Sequence, residues 1–217
     1  MSAPAAVAFD NDGLLLDTEV LWTYAEEKLF GSRGLEFTPE HKLQLVGTAA
    51  EVAGPALELM LGEPGRAAAI MAELHDLVMV EAQGGGRPMP GAVELVEALT
   101  AAGTPLALVS NSPPGFVDAV LGPTGLADAF EFLITPFEGL RPKPNPDLYL
   151  ETCRRLGSAP GESVALEDSR PGVGAARAAG MRVVGVPSVA GVELEGCDVV
   201  AASLTAPEVW AAVGLDR

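Results

Sequence analysis

The sequence predicts a doubly wound α/β protein, a parallel sheet covered on both faces, with an α-helical insertion after its first strand. Three observations carry this expectation. From residue 91 onward, short apolar strands alternate with amphipathic helices, as in a sheet buried on both sides. Residues 5–9 (AVAFD) have the same buried-strand character and are expected to join that sheet. Between them, residues 16–86 show helical periodicity and no strand.

Taken in order, strand 5–9 runs into "NDG" (11–13), residue types that suit a turn. Helical periodicity follows over 18–33, with Val20, Leu21, Tyr24, Leu29 and Phe30 apolar and Thr18 placed as N-cap. Further helices are expected over 38–46, 49–61 and about 64–82, before "GGGRP" (84–88) breaks the chain. Helix 91–102 then leads to strand 105–110, helix 114–121 to strand 131–134, and helix 146–156 to strand 163–167. Helix 171–179 leads to strand 182–186, and a weak strand near 198–200 and a helix at 206–213 complete the pattern. Residues 1–15 and 87–217 are therefore assigned to the α/β core and 16–86 to an inserted helical domain, hinged near Leu15–Leu16 and Gly84–Gly86.

Composition narrows the function. A net charge of −17 argues against nucleic acid and anionic membrane surfaces, which select basic patches. A phosphorylated ligand stays open, because a few cations and one metal ion can reverse a local field. Hydrophobic content of 48% supports a sizeable core, and no uninterrupted apolar span reaches membrane length. Two cysteines, Cys153 and Cys197, are too few for a disulfide framework, and no Cys/His spacing suits zinc. Without a signal-peptide pattern at the N-terminus, a reducing cytoplasm and a monomer are the expectations.

In open α/β sheets ligands bind beyond the carboxyl ends of the strands, so polar residues there are the ones to collect. The first strand ends in Asp10 and Asp12, and the second in Ser110–Asn111–Ser112. "RPKPNPD" supplies Lys143, and strand 163–167 ends in Glu167–Asp168–Ser169. Singly, each has an ordinary reading. "SNS" before two prolines can cap a helix, Lys143 can be a solvated loop lysine, and "EDS" before Pro171 can open a helix with Asp168 or Ser169 as cap. The combination suits magnesium-assisted phosphoryl transfer. Mg²⁺ takes carboxylate oxygens, a carboxylate can attack phosphorus, and lysine and hydroxyl donors can hold the equatorial oxygens. Repulsion among the carboxylates is tolerable once a cation sits between them.

"FDNDGLLLDTE", "SNS", "KPNPDLYL" and "LEDSRPGVGAARAAGM" resemble the four ordered motifs of the haloacid dehalogenase superfamily. They are most similar to its β-phosphoglucomutase-like phosphatase branch, with a Rossmann-like core and a helical cap. The resemblance implies that Asp10 is the nucleophile and a magnesium ligand. Asp12 would be general acid and then base, its carbonyl also binding metal. Ser110 and Asn111 would hold the phosphoryl group, and Lys143 would pair with it and with Asp10. Asp168 would bind Mg²⁺, with Glu167 as a direct or outer contributor. An acid at Asp12 also separates this chain from the family's dehalogenases.

Mutases of this branch carry a cap arginine after the first cap glycine, a hinge histidine and a late cap lysine. Here Thr48–Ala49–Ala50 replace the arginine motif, Trp22 takes the histidine's place, and 67–86 has no Lys or Arg. The expectation is hydrolysis of a small phosphorylated metabolite, with a mutase, and then a non-catalytic binding protein, as alternatives. Cap specificity is expected from Glu19, Trp22, Thr48 and Glu51, while His41 and His75 are read as surface or structural. Closure of the cap would exclude water from the phosphoryl group.

Overall fold

A computed structural model describes residues 3–189 and 191–216. Strands β1 (Val7–Asp10), β2 (Leu106–Val109), β3 (Leu133–Ile134), β4 (Val164–Glu167), β5 (Arg182–Gly185) and β6 (Val199–Val200) form one sheet in the order β3-β2-β1-β4-β5-β6. Every neighbouring pair is parallel, with Phe9 level with Leu108 on one side and Leu166 on the other. Strand alternation divides the core in two. Val7, Phe9, Leu108 and Leu166 pack on one face, and Ala8, Val109, Ala165 and Val183 on the other. Helices α5 (Ala92–Ala101), α6 (Pro114–Leu121) and α9 (Pro207–Ala212) cover the first face; α7 (Asp147–Leu156) and α8 (Arg170–Ala178) cover the second. The predicted doubly wound architecture is the observed one. Strand β3 is shorter than the expected 131–134, although Glu131 N still donates to Leu106 O at 2.9 Å. Cys153 and Cys197 are free thiols, and no helix of the described residues is long and apolar enough to cross a membrane.

The insertion contains α1 (Glu19–Gly31), α2 (Pro39–Leu45), α3 (Ala50–Leu61) and α4 (Ala67–Glu81), with α4 packed on both α1 and α3. Its apolar side chains, among them Leu29, Phe30, Leu57 and Ile70, are continuous with the core on the first face of the sheet. Trp22 of α1 meets Phe116 of α6 at a ring separation of 5.1 Å. His41 is structural, as expected. Its Nδ1 accepts from Thr38 N at 3.2 Å in a capping box, and its ring packs by Phe30 and Phe37. The two linkers leave the core side by side: Asp17 N donates to Arg87 O at 2.8 Å and Met89 N to Leu15 O at 2.9 Å.

Strand order reverses between β1 and β4, since the chain runs outward to β2 and β3 before returning to β4. That switch point opens a crevice at the carboxyl ends of the two strands. Helix α8 starts there and approaches β4 closely. A Cβ placed on Gly172 would lie 1.9 Å from Glu167 Oε2. Asn11, the residue after β1, is fully buried, and neither atom of its side-chain amide has a hydrogen-bond partner.

Two stability predictions result. Gly→Ala inside a helix ordinarily gains up to about 1 kcal/mol, but Gly172→Ala is overpacked and should lose about 1–3 kcal/mol. The same change at Gly115 in α6, where nothing lies within 4 Å, should be neutral or stabilising. Urea midpoints of the two variants check the opposite signs. A buried unpartnered amide costs about 1–3 kcal/mol, so Asn11→Leu should raise the midpoint. A lowered midpoint would show that Asn11 is satisfied in solution.

Candidate functional site

Four segments converge on the crevice. Strand β1 delivers Asp10 and the loop after it Asp12. The end of β2 delivers Ser110, the loop before α7 delivers Lys143, and β4 delivers Glu167 and Asp168. Lys143 is not a solvated loop residue. It is 2% exposed, and its Nζ lies 2.5 Å from Asp10 Oδ1, 2.6 Å from Glu167 Oε1 and 2.9 Å from the Val109 carbonyl. Tyr149 of α7 donates its hydroxyl to the same Glu167 oxygen and lies beneath the ammonium, 5.2 Å from ring centroid to Nζ.

The ordinary cap readings of "SNS" and "EDS" separate here. Helix α6 starts without a side-chain cap, so Ser110 and Asn111 are not spent on it. At α8, Ser169 is the cap, its Oγ accepting from Gly172 N at 3.3 Å, which leaves Asp168 free. Asp168 instead accepts from Ser188 Oγ at 2.5 Å. Gly13 passes so near that a Cβ would lie 2.3 Å from Asp168 Oδ2, and its φ of +82° suits glycine.

Thr18 corrects an expectation. It stands at the N-cap of α1 but makes no capping bond; its buried hydroxyl donates to Asp12 Oδ1 at 2.7 Å. Ser110 Oγ donates to Asp12 Oδ2 at 2.9 Å and accepts from Ser112 N. Asp12 is thereby fixed between two hydroxyls. Asn111 has its side chain committed to backbone groups: Nδ2 donates to Gly47 O (3.1 Å) and Lys143 O (3.2 Å), and Oδ1 accepts from Lys143 N (2.9 Å). It ties the loop between α2 and α3 to the lysine loop.

Charge at this edge is unbalanced. Burial pushes the Asp10 carboxyl well above the usual range; Lys143 opposes that, and Glu167 and Asp12 add to it. Asp168 is likewise raised, by burial and then by Asp10 and Glu167. The Lys143 ammonium is raised: burial works against its charge, and Asp10 and Glu167 outweigh it. One oxygen from each of Asp10, Glu167 and Asp168 lies within 4.8 Å of the others. This buried, all-oxygen, electron-rich set can hold a hard divalent cation.

A cavity of about 410 Å³ lies between this edge and the insertion. Asp10, Asp12, Lys143 and Asp168 line one end, and Glu19, Trp22, Thr48 and Glu51 line the helical side. The structure thus brings all four residues expected from the insertion onto one wall. His75, expected at the surface or in a structural role, is half-buried and lines the same wall. Sequence reading missed Thr18, Tyr149, Ser188, Glu26 and Lys42. Thr18 and Tyr149 lie inside the quoted motifs, whereas nothing in the sequence pairs Ser188 with Asp168 or Lys42 with α1.

Comparison with known proteins agrees with this geometry. Residues 4–180 match the model of the haloacid dehalogenase-like hydrolases. Protein CbbY of Rhodobacter capsulatus is 34% identical over 194 residues, covering 84% of this chain and 85% of its own. Hexitol phosphatase B of Escherichia coli is 31% identical over 204 residues, covering 87% of each. CbbY of Rhodobacter sphaeroides in complex with xylulose-1,5-bisphosphate superposes with a TM-score of 0.78 at 25% identity, covering 94% of this chain and 96% of that one. A β-phosphoglucomutase of Clostridium difficile shares the fold, with a TM-score of 0.79 at 23% identity over 93% and 92% of the two chains. With the match over most of its length and the carboxylate–lysine edge where the switch point requires it, this chain belongs to the haloacid dehalogenase-like hydrolases.

Proposed function

We propose that the chain is a Mg²⁺-dependent phosphatase that hydrolyses a small phosphomonoester, a sugar phosphate or related metabolite, through an aspartyl-phosphate on Asp10. One observation carries the reading: Asp10 and Asp12 face one cavity at the switch point, with Lys143 buried against the first and two hydroxyls fixing the second. The relatives named as phosphatase and as bisphosphate-bound CbbY support a phosphorylated sugar as the ligand class.

Phosphoryl transfer needs little covalent help beyond a positioned nucleophile and stabilised charge. Lys143 holds one Asp10 oxygen, leaving the other to attack phosphorus and form the acyl-phosphate. Asp12 donates a proton to the departing ester oxygen, then removes one from the water that attacks the aspartyl-phosphate. Thr18 and Ser110 fix its carboxylate for both roles. Asp10, Asp168 and the Asp12 carbonyl would hold Mg²⁺, with Glu167 beside them and itself engaged by Lys143 and Tyr149. When bound, the ion offsets carboxylate repulsion and the negative charge of the phosphoryl oxygens. The Asn111 side chain is committed elsewhere, so its backbone would meet the phosphoryl oxygens, joined by Ser110 once its hydroxyl turns from Asp12. Residues 16–86 act as a cap domain whose helices supply the far wall of the cavity. A phosphosugar mutase is the alternative, tested by glucose 6-phosphate formation from β-glucose 1-phosphate.

Asp10→Asn keeps the shape of the side chain but cannot form the acyl-phosphate. Turnover of a phosphomonoester panel should fall by at least about 10³-fold with the circular dichroism spectrum unchanged, and substantial residual activity would defeat the covalent route. Chelation should abolish activity and Mg²⁺ restore it. Mg²⁺ should also raise the melting temperature of the native chain, by an amount that shrinks in Asp168→Ala. Metal-independent turnover, or equal stabilisation of both proteins, would remove Asp168 from metal binding.

A further inference from the structure

The helical wall of the cavity carries a network of its own. Glu19 and Glu26 stand two turns apart on one face of α1, and Lys42 of α2 reaches between them. Its Nζ lies 2.7 Å from Glu19 Oε2 and 3.1 Å from Glu26 Oε2. The three side chains are only 14%, 4% and 11% exposed, and all three line the cavity. Burial pushes the Glu26 carboxyl up to about 7 against the pull of Lys42.

An ammonium has three N–H donors, and Lys42 spends one of them in a hydrogen bond to Glu26 Oε2. Its contact with Glu19 Oε2 is an ion pair without hydrogen-bond geometry. Two donors, that buried oxygen, and Oε1 of Glu19 and of Glu26 are therefore left without a hydrogen bond among the described residues. The other titratable groups on this wall are Glu51 and His75. The wall therefore offers alternating acceptors and donors, but no surplus positive charge. Hydroxyl groups both donate and accept, so a polyol can satisfy such a set. A second phosphate or a carboxylate would face Glu19, Glu26 and Glu51 with the nearby ammonium already neutralised, an arrangement that selects by repulsion.

We propose that the Glu19–Lys42–Glu26 triad is the specificity determinant of the cavity: it receives the hydroxyls of an uncharged substrate tail, so the substrate is a monophosphate of a neutral sugar or polyol. This deepens, and rests on, the phosphatase reading. It also separates the chain's substrate class from bisphosphates and from phosphorylated sugar acids.

The test measures kcat/KM with Mg²⁺ for a hexitol monophosphate, a ketose bisphosphate, a phosphorylated sugar acid and p-nitrophenyl phosphate. The hexitol monophosphate should exceed the two substrates that carry a second anionic group by at least about ten-fold. Glu19→Gln/Glu26→Gln leaves the Lys42 charge unpaired and should raise the bisphosphate-to-hexitol ratio by at least about ten-fold, chiefly through KM. Equal or better turnover of a bisphosphate or sugar-acid phosphate by the native chain overturns the proposal, whether or not the double variant folds. So does an unmoved ratio in a folded double variant. Turnover of p-nitrophenyl phosphate with the wrong ranking defeats the triad alone; no turnover of any ester defeats the phosphatase reading and the triad with it.

Discussion

The ammonium of Lys143 is the charge around which the carboxylate edge of the sheet is built. Asp10 ends β1 and Glu167 ends β4, neighbouring strands whose parallel register brings their last residues to the same level. Two buried carboxylates at that separation would repel strongly in a low-dielectric interior. Lys143 lies between them and also donates to the last carbonyl of β2, so one side chain ties together three strand ends. Of the other two carboxylates, Asp12 is held by two hydroxyls, and Asp168 accepts from Ser188 and has no cationic side chain paired with it among the described residues. Negative charge is therefore in excess at this edge, and Asp10, Glu167 and Asp168 form a set that can hold a divalent cation. Close packing reinforces this arrangement: Gly172 leaves room for Glu167 under α8, and Gly13 leaves room for Asp168.

The cavity joins two surfaces of different chemistry. Its sheet edge concentrates carboxylates around a buried lysine, a set that can hold a divalent cation. Its helical wall spreads donors and acceptors among apolar side chains such as Leu57 and Trp22. Asn111 links the two, since its amide touches both the Gly47 carbonyl and the Lys143 backbone. The loop that holds Lys143 is therefore registered against the loop between α2 and α3.

The sheet and the acidic residues at its edge are legible because both follow from local pattern. Short apolar strands at β1 and β4 run into acidic residues, and a doubly wound sheet gathers those ends. The motif singles out Lys143, but its burial comes from contacts spanning 133 residues to Asp10 and 24 to Glu167, which no local pattern shows. Thr18 shows a different failure. A threonine before a helix reads as a cap, and only the tertiary turn that brings Asp12 back to it reveals its bond. Lys42 was invisible for a further reason. Sequence sees a lysine on an amphipathic helix as a solvated charge, whereas α1 packed beside α2 buries it between two glutamates. The mutase pattern places a cation late in the insertion, where 67–86 has none, whereas Lys42, which lines the cavity, lies earlier in it.

The pairing of the two linkers has a consequence for how such a molecule can change. Asp17 and Arg87 are hydrogen-bonded neighbours, as are Leu15 and Met89, so the excursion between them departs and returns at one point. To the sheet, the whole insertion is equivalent to a hairpin loop. Closing a long loop costs little more free energy than closing a short one, since the entropy grows only with the logarithm of length. The pairing of the linkers therefore leaves the end of β1 indifferent to the insertion's length, while Trp22 against Phe116 and Gly47 against Asn111 tie its inner face to the core. The carboxylate–lysine edge and the helical wall that faces it across the cavity are thus written on separate stretches of the chain, joined where the two linkers pair.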